Sequence, residues 1–460
     1  MPLAGTHAPL VFCRGPRIFV PANAGIQMLI RRHCVAAGRG NLNLLAICRV
    51  GFSPPIFSCV VTSLILWVFI LVFRFITSQL TILPVIDTIQ ASKGTDMAGR
   101  YQRAKIGEQV KVNERTVPFT FWPEAYYKRG RLVTSDPWAC LMAHIHQTDI
   151  SKARKNLAIA FLEQAQDFHR AANAAPRLGS KPVLHYYSFL NLAKVFLTLR
   201  TSLDLKRCVH GLNESQSNIR SVLTITSQSV TIPELKKGRI QAYREFIKEC
   251  DFPVPNHSSS TKVSDLLEQI VGIHRITNYT LQRPTKYFPI SSIQFEYDKS
   301  EKMVWIALTV DKAHLSDKDA QDIRKHTSSF REVESSEDKT HRRYESKPIK
   351  YEYSPIKVLR TLVLSTWKDI WSELRPGGYK FWISSINKKK RRAQLASGYQ
   401  AMYYFGSVAR YRPDDFYKLA EGKHGWMVQE FINTQPYQFI YFLGSGIVNA
   451  EMVPPELMCP

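Results

Sequence analysis

No carboxylate occurs before Asp87 and no lysine before Lys93, so the only formal charges at the start of the chain are Arg14, Arg17, Arg31, Arg32, Arg39, Arg49 and Arg74. Paired cysteines are also missing. The eight cysteines include no C-x-x-C, and four of them (Cys13, Cys34, Cys48 and Cys59) crowd the beginning. The remainder (Cys140, Cys208, Cys250 and Cys459) are scattered singly. That pattern excludes a zinc knuckle and reads as free thiols in a reducing compartment rather than a disulfide framework. A Walker loop, a dinucleotide-binding glycine pattern, a Gly-x-Ser-x-Gly elbow and a kinase signature are all absent, so no cofactor and no metal are expected. No internal repeat is visible.

What is present is positive charge. Lysine and arginine number 62 against 38 carboxylates, a net charge of +24 with a pI near 9.7. Such a balance favours nucleic acid, anionic lipid or acidic proteins as partners, without specifying a fold. The apolar fraction of 45% is ordinary and supports a sizeable core, and 460 residues allow two or three domains.

The composition changes near Met97, after which lysine, glutamate and aspartate are frequent. Residues 1–96 therefore form an N-terminal extension, and three readings of it stay open. Ile56 to Phe73 is an uncharged apolar run of 18 residues, long enough for a membrane-anchoring helix. The arginines before it would keep the N-terminus cytoplasmic. A targeting peptide is the second reading, since such segments are arginine-rich and acid-poor. The third is an upstream start, with Met97 as the natural first residue: Val20 to Gln27 looks like a translated intergenic repeat. The expected location is cytoplasmic, or single-pass membrane if residues 56–73 span a bilayer.

Residues 97–460 read as one helix-rich domain. Residues 100–136 look irregular or short-stranded, and Asp136-Pro137 is a helix start leading to a short helix from Trp138 to Gln147. A second start at Asp149 opens a helix from Ser151 to Asn173, with Leu157, Phe161, Leu162, Ala165, Phe168 and Ala172 tracing one face. Lys181-Pro182 opens a third, running to about Arg200, with Val183, Leu184, Tyr187, Leu190, Val195 and Leu199 expected inward. Together these make a helical hairpin. Further on, Val222 to Thr226 reads as a strand, Tyr243 to Glu249 and Val263 to His274 as helices. Ile293 to Leu308 alternates around an Asp298-Lys299-Ser300-Glu301-Lys302 turn, a β-hairpin. Residues 312–348 are dominated by charge and fit a solvated insertion or a mobile loop, part of a β-containing region around 287–390. Val358 to Trp371 fits strand or helix, Tyr379 to Ile386 a strand. Gln394 to Ala409, Asp414 to Ala420 and Met427 to Ile440 read as helices. The expected class is α+β, predominantly α-helical.

At the helical hairpin the residues become recognisable. Phe161-Leu162-Glu163-Gln164-Ala165 precedes Lys181-Pro182-Val183-Leu184-His185-Tyr186-Tyr187-Ser188-Phe189-Leu190-Asn191-Leu192-Ala193-Lys194, then His210-Gly211-Leu212. Far downstream comes Tyr403-Tyr404-Phe405-Gly406-Ser407-Val408-Ala409-Arg410-Tyr411-Arg412-Pro413. These two blocks, in this order, resemble the YaaC-like family of bacterial proteins, whose members carry a similar tyrosine-rich helix, an HG turn and an arginine-tyrosine-x-proline segment. The resemblance spans most of 135–455, is weaker between 290 and 390, and implies no settled activity. Its helical core invites comparison with HEPN-type domains. Their ribonuclease members use Arg, four to six residues, then His, and no such spacing occurs from Met97 onward.

Four candidate sites follow. Tyr187, Asn191 and Lys194 lie at i, i+4 and i+7 and share a helix face that could orient an anionic group. Arg410 and Arg412 flank Tyr411 and suit phosphate or RNA contact, and their helix is expected beside the hairpin so that Arg410 and Lys194 share a ligand. His210 is the candidate acid or base. Lys388, Lys389, Lys390, Arg391 and Arg392 form a basic run suited to a polyanion. Cys140, His144 and His146 lack metal geometry, since His146 leaves the shared face. The leading function is an accessory protein binding nucleic acid or another polyanion, with a nuclease-like hydrolase or a membrane-anchored accessory protein as alternatives.

Overall fold

The computed structural model describes residues 107–456, apart from 215–224, 236–237, 251, 334–338 and 389. The chain divides into two units, Met1–Ala98 and Gly99–Pro460, and the described residues belong to the second. The candidate span 56–73, the alternative start at Met97 and Lys389 lie outside them. Among the described residues no helix is long and apolar enough to cross a membrane.

The unit is α+β and predominantly helical. Its helices are α1 (Pro123–Arg129), α2 (Pro137–Gln147), α3 (Lys152–Ala174), α4 (Lys181–Arg200), α5 (Ala242–Glu249), α6 (Val263–Glu268), α7 (His274–Leu281), α8 (Asp317–His326), α9 (Leu359–Thr366), α10 (Gln394–Tyr411), α11 (Pro413–Glu421) and α12 (Gly425–Val448). Helix α2 begins as its residues dictate: the Asp136 carboxylate accepts from the Trp138 and Ala139 amides, with Pro137 in the first turn. Ser151, rather than Asp149, caps α3.

Helices α3 and α4 form the expected hairpin, and side-chain pairs along its seam define the register. Phe168 stacks on Tyr187 at 5.3 Å, His169 lies 5.5 Å from His185, the Ser188 hydroxyl donates to the Ala165 carbonyl, and Lys194 Nζ sits 5.0 Å above the Phe161 ring. Arg154 closes the open end by donating to the Thr198 and Thr201 carbonyls, which the end of α4 leaves without helical donors.

The inward face of α4 differs from the expected one. Leu190 and Val195 are buried, but so are His185, Tyr186, Ser188, Phe189, Asn191, Leu192, Ala193, Phe196 and Leu197. A helix packed on several sides carries no single apolar stripe for spacing to reveal. Helices α3, α5, α10 and α12 all pack on it. Where α10 crosses, a Cβ on Gly406 would come within 3.0 Å of the Pro182 carbonyl oxygen, so glycine is what permits that approach.

A second core belongs to the sheet. Strands β1 (Glu108–Gln109), β2 (Tyr287–Pro289), β3 (Ser292–Asp298), β4 (Met303–Asp311), β5 (Phe330–Val333), β6 (His341–Ser346), β7 (Ile349–Lys350), β8 (Ile370–Arg375) and β9 (Gly378–Ser384) make two antiparallel sheets. One runs β1-β3-β4-β6-β5, with β7 on the start of β4; the other runs β8-β9-β2. The β3–β4 hairpin has the expected turn, Met303 pairing with Asp298.

Four expectations need correcting. The lead-in before Asp136 contains helix α1 besides short strands. The charged stretch 312–348 is no solvated insertion: it supplies α8, β5 and β6 to the fold. Two of its arginines are paired: Arg342 with Glu332 on β5 and Asp317 on α8, and Arg343 with Glu296 on β3 and Glu345 on its own strand. Val263 to His274 is broken at Gln269 into α6, a single tighter turn and the start of α7. Of Val222 to Thr226, the described part (Ile225 and Thr226) is a turn, and 222–224 lie outside the described residues.

An early and a late segment of the unit meet. Leu132–Val133 pairs in parallel with Met452–Val453, Arg131 lies 3.2 Å from buried Glu451, and the Tyr441 hydroxyl donates to the Thr134 carbonyl at 2.7 Å.

Candidate functional site

The hairpin stripe comes first. Tyr187 and Lys194 both lie on the α3–α4 seam, each against a phenyl ring of α3, while Asn191 between them is buried. Helix α10 packs beside α4 as expected, and Arg410 reaches the same end of the seam, donating to the Tyr187 hydroxyl at 2.6 Å. Lys194 lies seven residues further along α4, about two turns away. Arg410 and Tyr187 are therefore joined directly, and Lys194 is held separately over Phe161.

Arg412 already has internal partners. Its guanidinium pairs with Glu214, whose other oxygen accepts from the Ser407 hydroxyl at 2.7 Å, and Asp415 lies 4.0 Å away. Glu214 went unnoticed in the sequence because it sits almost 200 residues from its partner, so no local spacing connects them.

His210 follows the hairpin, and Gly211 behind it takes φ +80°, the left-handed turn its position required. The Leu212 amide donates to His210 Nδ1 at 3.3 Å, and the ring lies 5.5 Å from Tyr403. The residue is exposed overall, but partial desolvation of the ring lowers the imidazole pKa. With Nδ1 accepting, the neutral ring carries its proton on Nε2 and can donate from there.

The basic run is held very differently along its length. Arg391 points inward, its side chain only 6% exposed. It pairs with Asp369, donates to the His326 and Ile386 carbonyls and lies 5.1 Å from the Trp371 ring. Burial lowers its pKa to about 10. Gln269 fastens the backbone on the other side. Its amide nitrogen donates to the Lys390 carbonyl at 3.2 Å, and its oxygen accepts from the Arg392 amide at 2.8 Å. With Arg391 and Gln269 as anchors, Lys388 and Lys390 are exposed and Arg392 is half-buried.

Lys390 and Arg392 line a cleft of about 670 Å³. Lys262, Arg283, Lys286 and His326 share its wall with Asp265, Glu268 and Asp322. Arg283 is neutralised in place by Asp265 at 3.2 Å and Glu268 at 2.9 Å. Lys262, Lys286, Lys390 and Arg392 are left facing Asp322, a local excess of positive charge. Sequence reasoning found the run and missed the other walls, because they come from the segments around 262, 284 and 326 and only folding brings these together.

A family model described as YaaC-like protein matches residues 123–447. No curated protein and no solved structure matches the chain.

Proposed function

The chain belongs to the YaaC-like family, and we propose that it acts as a binding protein for nucleic acid, gripping the phosphate backbone in the cleft beneath Lys390 and Arg392. The single observation that carries this reading is the cleft itself. Its cations come from separate segments, and two of them sit on a backbone clamped by Gln269 and anchored by buried Arg391. A pre-positioned cation loses less conformational freedom on meeting a phosphate than a lysine on a mobile loop. The +24 net charge of the chain adds long-range attraction for the same partner.

Binding of fluorescein-labelled single-stranded RNA and duplex DNA, titrated against salt, tests the proposal. Each phosphate contact releases condensed counterions, so affinity should fall steeply with salt, and Lys390→Ala or Arg392→Ala should each reduce the logarithmic slope by about one. Salt-independent binding, or slopes untouched by both substitutions, would remove the reading. RNA cleavage that disappears in His210→Ala would replace it with the hydrolase alternative.

A further inference from the structure

We infer that the nucleic acid gripped by the basic cleft is single-stranded, and that its bases stack on an exposed aromatic patch formed by Tyr279 and Trp426. The inference rests on the nucleic-acid reading and names the class of substrate. Among the described residues the cleft wall supplies charge without a stacking surface, since no phenylalanine, tyrosine or tryptophan lines it. The patch supplies what the wall lacks. Tyr279 on α7 is 78% exposed, and its ring meets that of Trp426 on α12, 57% exposed, at 6.1 Å and close to perpendicular. Rings scattered singly over a surface need no explanation, whereas two in contact form a continuous apolar patch.

Cations accompany the rings. Arg275 lies one turn before Tyr279 on the same exposed face of α7, and its guanidinium sits 5.1 Å from the Trp382 ring. The Lys380 ammonium lies 4.9 Å from that same ring, so one indole holds both charges in place. Glu373, opposite Lys380 in the sheet, is engaged by Arg375 at 2.7 Å. On α12, exposed Lys423 comes before Trp426 and half-buried Glu430 one turn after it. From Tyr279 the chain passes directly to the cleft. The Arg283 amide donates to the Asn278 carbonyl at 2.9 Å, and Arg283, Pro284 and Lys286 line the cleft wall. The four residues from Tyr279 to Arg283 span at most about 14 Å, a length that a few nucleotides of one strand cover. One short oligomer therefore reaches both the cleft cations and the patch. Stacking on the rings is open only to a strand whose bases are not already paired within a helix.

Fluorescence anisotropy on the full chain tests it with three fluorescein-labelled probes of equal length. They are single-stranded oligo(dA), an abasic oligomer carrying the same phosphates, and the duplex of oligo(dA) with oligo(dT). The single strand should bind roughly fivefold or more tightly than the abasic oligomer, the scale of one stacked base. Tyr279→Ala and Trp426→Ala should each remove most of that advantage. Neither should alter abasic or duplex affinity, the salt slope or the melting temperature, since an exposed ring holds no phosphate and little of the fold. Tyr279→Phe and Trp426→Phe keep a ring and should retain the advantage. Lys390→Ala, in contrast, should weaken all three probes alike and lower the slope. Equal affinity for the single strand and the abasic oligomer, or an advantage that survives both alanine variants, overturns the inference while leaving the cleft in place. A slope indifferent to Lys390→Ala removes the cleft, a failure that the ring variants do not produce, and binding of none of the probes overturns both. Self-association in sedimentation velocity that Trp426→Ala abolishes, with single-strand affinity unchanged, assigns the patch to a second copy of the chain and also overturns the inference.

Discussion

The helical and sheet regions bury cations by opposite means. Among the helices, buried Arg244 donates to the carbonyl oxygens of Pro233 and Pro255, the latter at 2.6 Å, and Arg154 caps the carbonyls ending α4. In the sheet, Arg343 reaches across β4 to Glu296 and along its own strand to Glu345, both fully buried or nearly so. The difference follows from where backbone acceptors are free. Helix ends and proline-rich turns leave carbonyl oxygens without donors. A strand in mid-sheet has its carbonyls engaged by its neighbours, so a cation there needs side-chain carboxylates. Register makes the meeting possible: Trp305 opposes Glu296, Ala307 opposes Gln294 and Glu345, and Thr309 opposes Arg343. All of these share one face. Ala307, the small residue between them, leaves room for the guanidinium.

Breaking the sheet's triad should have the largest effect. Arg343→Leu leaves two buried carboxylates without their cation and should cost about 3–5 kcal/mol, read as a fall in the denaturation midpoint. A loss no greater than that of Arg244→Leu would break the comparison. Acid is the next lever and acts on the helical side. Burial lowers the pKa of His185 from 6.5 to about 3, so the folded state keeps it neutral while the unfolded chain takes up a proton. The stability this neutral ring contributes is complete above the unfolded value of 6.5 and drains away as pH falls toward about 3. Melting compared at about pH 7 and about pH 4.5 should show a loss on the order of 2 kcal/mol attributable to this site, diminished in His185→Phe. His274, lowered to about 4 by burial, adds to the same window from the junction with Trp382.

Smaller effects sharpen the contrast. Arg244→Leu strands neutral carbonyl oxygens rather than charges, and its cost should be about 1–3 kcal/mol. Glu214→Gln, at a pair whose arginine is 31% exposed, should cost only about 1 kcal/mol, since water screens part of the attraction. Lys388→Ala should change stability by less than about 0.5 kcal/mol. A larger loss at Lys388 would mean that the basic run is structural throughout, and not only at Arg391.

Legibility in the sequence tracked the range of the interaction. The Asp136 cap, the α3–α4 hairpin, the β3–β4 turn and the left-handed Gly211 each depend on residues a few positions apart, and their spacing carried them. The buried faces of α4 were not legible, since a helix surrounded by other helices has no polar side to orient it. The stretch 312–348 was misread because high charge resembles a solvated loop until Arg342 and Arg343 find carboxylates on other strands. Of the candidate site, Lys390 and Arg392 could be seen as a run. That Arg391 between them is an inward anchor, and that Gln269 holds its neighbours, depends on contacts over more than twenty residues.

The parallel pairing of Leu132–Val133 with Met452–Val453 also bears on the order of events during synthesis. An early strand waits for a partner made some 320 residues later, and the Glu451 carboxylate that faces Arg131 arrives with it. Closing so long a loop is slow, so Leu132–Val133 stays unsecured until Met452–Val453 has been made. A nascent or prematurely terminated chain would hold a formed helical hairpin behind an unlatched start, exposing Leu132 and the α2 surface to proteases.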